Sequence, residues 1–83
     1  MTQQERENKL RQLALCKQTG EQAYDDMYEK AHSPSAATGY YSDAKESFYT
    51  AIGLARELGL KQEIEDLEKR LEHIKSVFRS QFN

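Results

Sequence analysis

At 83 residues and 9.6 kDa the chain has room for one small domain, residues 1–83, and not for the separate cofactor and substrate domains of a multi-step enzyme. Its 12 Lys and Arg against 14 Asp and Glu leave a net charge of −2 with both signs interspersed, which excludes a polybasic nucleic-acid binder and a highly charged disordered chain. A domain of this size buries only about 60–65% of its unfolded surface, so it stands to gain from a partner or a second copy.

Residues 1–8 are polar and hold no apolar run of the kind a secretory signal carries. Cys16 is the only cysteine, so no internal disulfide is expected. No stretch nears the ~18 apolar residues of a spanning helix. The expectation is a cytoplasmic protein with no membrane partner. Leu10, Leu13, Ala14, Tyr24, Met27, Tyr28 and Ala31 keep helical spacing and predict a first helix over about 3–31. Lys17, Gly20 and Glu21 interrupt that stripe, and Thr19-Gly20-Glu21-Gln22 fits a capping box. One helix slightly kinked near Gly20 is the first reading and a broken helix the alternative. Residues 32–39 hold the only proline and read as the linker that ends it. Ser33-Pro34 also suits the opening of a short helical turn, with Ser as cap and Pro at N1.

A second helix is predicted over 40–58. Tyr41, Ala44, Phe48, Ala51, Ala55 and Leu58 recur at spacings of three and four, and the three alanines let a neighbouring helix approach closely. Leu58-Gly59-Leu60 reads as its stop, with Gly59 as the left-handed residue after the cap and Leu60 folding back onto the last turn. A third helix is predicted over about 61–82, where Leu60, Ile64, Leu67, Leu71, Ile74 and Phe78 form one stripe. Glu65 with Lys69 and Asp66 with Arg70 are opposite-sign pairs four residues apart on its outer faces. With no strand pattern and short connections, the fold class is all-α, an antiparallel three-helix bundle.

The run Tyr41-Ser42-Asp43-Ala44, then Phe48 and Ala51, resembles the second helix of a tetratricopeptide (TPR) unit, with a trailing third helix. The same stretch is similar to a microtubule-interacting-and-transport (MIT) domain, a three-helix module. The resemblance covers residues 41–59 well and residues 20–31 poorly, and the loop at 32–39 is longer than a TPR turn. What either resemblance implies is binding of a peptide or protein in a groove between helices.

Chemistry-bearing residues give little. Cys16 with His73 or His32 lacks the strained or Gly-rich turn of a nucleophile, and a lone helical cysteine usually acts as a small hydrophobe. Glu29 and His32 match the Glu-x-x-His spacing of di-iron bundles, but one chain offers one motif, so a homodimer would have to complete the site with Glu46 or Glu57. No phosphate loop, dinucleotide fingerprint or zinc spacing is present, so neither a cofactor nor enzyme activity is expected.

The five tyrosines all fall between residues 24 and 49, around the join of the first two helices. Tyr24, Tyr28, Tyr40 and Tyr49 are read as partner-binding residues, since tyrosine joins apolar area to a polar tip. Asp25, Asp26 and Glu29 beside them favour a basic partner surface. Val77, Phe78 and Phe82 are read as a second, exposed patch at the end of the third helix; the competing expectation is that Leu10 and Leu13 fold over it. The function expected is a small protein-interaction module, an adaptor or self-associating bundle, whose partner is another protein or a second copy. The alternative is a homodimeric metal-binding or catalytic bundle using Glu29 and His32.

Overall fold

The computed structural model describes residues 1–82. Three helices follow one another: α1 (Gln3–Glu29), α2 (Pro34–Glu57) and α3 (Lys61–Gln81). Among the described residues there is no strand, so the all-α, three-helix expectation holds.

Thr2 opens α1 by accepting the Glu5 N–H on its hydroxyl at 3.1 Å. The helix then runs unbroken through Thr19 and Gly20, so the capping box there does not form. Gly20 is buried because the Phe48 ring of α2 lies on its backbone; a Cβ at this position would stand 2.7 Å from the ring. Lys17 and Glu21 interrupt the apolar stripe for a different reason. They flank the core on the side of α3, where Lys17 pairs with Glu63 at 2.6 Å and Glu21 with Arg70 at 2.6 Å. Arg70 is thereby turned to α1 and not to Asp66, which takes a hydrogen bond from Gln62 instead.

The second helix begins six residues earlier than its predicted start. Ser33 caps it by accepting the Ala36 N–H at 3.2 Å, and Pro34 occupies the first turn, where its missing N–H costs nothing. Ala37, expected in the linker, is buried in the core. The linker therefore shrinks to residues 30–33. At the other end Gly59 has φ +69°, its N–H bonds to the Arg56 carbonyl, and the Leu60 N–H bonds to the Ala55 carbonyl. This is the expected left-handed stop, and it turns the chain back within three residues.

Phe48, Met27 and Ile74 are the largest fully buried side chains, with Leu13, Leu67 and Leu71 around them. Ala44, Ala51 and Ala55 are all buried on α2 and let α1 lie close along it. The third helix packs on α2 and reaches α1 chiefly through side chains. The result is elongated, 45 × 19 × 14 Å. Among the described residues no helix is long and apolar enough to cross a membrane.

Candidate protein-interaction surface

The up-down-up course brings the end of α1, the start of α2 and the end of α3 together, and Tyr24 and Tyr28 of one predicted patch join Phe78 and Phe82 of the other. Tyr41 stacks on Phe78 with centroids 3.9 Å apart and planes at 2°. Phe78 lies beside Phe82 at 6.3 Å, Phe82 meets Tyr28 edge-on at 5.6 Å, and Tyr28 meets Tyr24 at 5.4 Å. These rings hold three helix ends to one another.

Two expectations change with this geometry. Val77, Phe78 and Phe82 are half-buried and packed against the core, not an open patch on a frayed terminus. Nor do Leu10 and Leu13 cover them. The start of α1 lies at the opposite end, where Arg6 donates to the Leu58 carbonyl at 3.4 Å and Lys9 pairs with Glu57 at 2.9 Å. Parallel first and third helices place the N-terminus beside the α2–α3 turn.

Of the remaining tyrosines, Tyr24 is only 9% exposed and faces inward, with the Arg70 guanidinium 4.9 Å from its ring. Burial, then its neighbour Tyr28, raises the pKa of the Tyr24 hydroxyl. The Tyr28 ring is exposed at the aromatic end, and Tyr40 is half-buried. Tyr49 is 53% exposed, and its hydroxyl accepts from Lys75 at 2.7 Å, which raises the lysine's pKa.

The Glu-x-x-His pair does not stay on one helix. Glu29 is the last residue of α1 and His32 lies beyond its Lys30 cap, both exposed. Glu57 is engaged by Lys9. Among the described residues no three His, Cys, Asp or Glu side chains gather as a metal site. Cys16 is half-buried against the core and His73 is exposed beside Tyr24.

An open groove of ≈ 550 Å³ lies between α1 and α2. Its residues lie around both helices on the side away from those that face α3, such as Lys17 and Glu21 on α1 and Tyr49 and Ile52 on α2. Leu15, Ala23 and Tyr40 supply apolar lining; Leu15 is 63% exposed. Asp26, Asp43 and Glu46 supply charge, and no Lys or Arg of the described residues lines it. Tyr40, singled out in the sequence, lines this groove. Leu15, Asp43 and Glu46 were not read as interface residues, although a leucine just off the apolar stripe of α1 is the signal that marks the groove. No protein-family model, curated protein or solved structure matches the chain.

Proposed function

We propose that this chain is a small protein-interaction module that binds a helix or extended segment of a partner in the groove between α1 and α2. The observation that carries the reading is a leucine left 63% exposed in a concave, two-helix groove beside Ala23 and Tyr40. Support also comes from the Tyr41, Ala44, Phe48 and Ala51 run, whose likeness to TPR and MIT helices implies the same mode of binding. A lone cysteine in a chain without disulfides suits the cytoplasm as its compartment. The metal-bundle alternative loses support because α1 ends between Glu29 and His32.

Site-specific photo-crosslinking tests the reading. A benzophenone side chain at Thr19, in the groove, is expected to give discrete adducts in the source cell, competed away by excess unmodified protein. The same group at Lys69, on the exposed side of α3, is expected to give none. Equal adducts from both positions, or none from Thr19, sink the proposal.

A further inference from the structure

We infer that the occupant of the α1/α2 groove is a basic amphipathic helix of about three turns. This deepens the interaction-module reading and rests on it. Three carboxylates line the groove; Asp26 is paired with Lys30 at 3.4 Å, whereas Lys17 is held by Glu63 on the α3 side and Lys45 lies over the Tyr41 ring at 4.7 Å. Among the described residues neither Asp43 nor Glu46 forms an ion pair. A partner that brings Lys or Arg to this rim therefore meets charge that the chain itself does not neutralise.

The molecule already shows how a helix lies on this pair. On the opposite side α3 buries Leu67, Leu71 and Ile74, while its flanking Glu63 and Arg70 clasp Lys17 and Glu21 of α1. The open side also has a groove between two helices, flanked by Asp43 and Glu46 on α2 and by Gln18, Gln22 and Asp26 on α1. An apolar row seated on Leu15, Ala23 and Tyr40 with lysines or arginines to either side is the complementary helix. From Leu15 to Asp26 the groove runs about 17 Å along α1, which is three helical turns. A second copy laid on the same face would set carboxylates against carboxylates, and anionic phosphates meet the same repulsion.

The test uses the full chain and three synthetic 15-residue peptides: leucines at heptad spacing with lysines elsewhere, the same pattern with glutamates, and a scrambled leucine–lysine peptide of equal charge. Fluorescence anisotropy gives the affinities, and amide shifts of the labelled protein give the location. The patterned lysine peptide is expected to bind at least tenfold tighter than either control, with shifts at Leu15, Thr19 and Ser47. D43K/E46K is expected to weaken it at least tenfold, while E65K/E68K on α3, with the same net charge, stays within twofold. Circular dichroism checks that both variants fold. Equal binding of the scrambled peptide, or equal loss in both variants, overturns the inference by showing mere charge attraction. Tighter binding of the glutamate peptide with shifts in the groove overturns the basic partner and leaves the groove. Shifts on the α2/α3 side overturn the inference, as does the absence of binding by all three peptides; crosslinking from Thr19 separately decides the module reading.

Discussion

Gly20 and Phe48 set the separation of α1 and α2. A glycine inside a helix costs about 1 kcal/mol relative to alanine, so Gly→Ala is normally stabilising. At Gly20 the sign reverses, because the added methyl would lie 2.7 Å from a ring that is itself 1% exposed and cannot swing away. Gly20→Ala is expected to destabilise by about 1–3 kcal/mol in urea unfolding, as overpacking does. Gly53, with nothing within 4 Å of the corresponding position, is the internal control, and Gly53→Ala is expected to gain about 0.5–1 kcal/mol. If Gly20→Ala also stabilises, the close approach of the two helices is wrong. At this scale the sequence was ambiguous. Gly20 looked like a kink, with a break as the alternative, because its partner ring is 28 positions away, and only tertiary contact shows that the missing side chain makes room.

Single helices were the most legible features. The stripe from Leu60 to Phe78 and the alanine row of α2 are periodic signals written within one segment, and both bury the faces they indicate. The stop at Gly59 was legible for the same reason, since the left-handed cap is a local motif. Gly59→Ala is expected to cost about 1–2 kcal/mol, because φ +69° crowds a Cβ against the following carbonyl, and the loss is checked by thermal melts. An unchanged melting temperature would mean that the turn does not hold this geometry. The Ser33 cap with Pro34 at the first helical position was legible as the opening of a short turn, but not that this turn continues unbroken into α2. Lys17 and Glu21 were read only as interruptions of the stripe because the charges that explain them, Glu63 and Arg70, lie on another helix.

Which ends meet is decided only by the whole molecule, and there the sequence reading went furthest astray. Tyr24 and Tyr28, assigned to a separate interface from Phe78 and Phe82, share one end with them, and the start of α1 lies at the other. Truncation after Ser76 removes Phe78 from Tyr41 and Phe82 from Tyr28, so it is expected to lower the folding stability by about 2–5 kcal/mol. Helical circular dichroism and the groove crosslink from Thr19 should survive at low temperature. A truncated chain that melts like the full one would show that the aromatic end carries no stability. The acidic groove was equally hidden, since Asp26 and Asp43 come together only once α1 and α2 are paired.

The two ion pairs between α1 and α3 also act as an index mark. Lys17 with Glu63 and Glu21 with Arg70 are each exposed enough to add little stability, but their signs are opposite along the seam. If α3 slid by one turn, Asp66 would arrive where Arg70 now meets Glu21, and two carboxylates would oppose each other. Neighbouring leucines and isoleucines are alike enough to tolerate such a slip, whereas an alternating pattern of charge is not. The apolar stripe thus supplies adhesion without position, and the clasp supplies position without much adhesion, so α3 has one resting place along its neighbour.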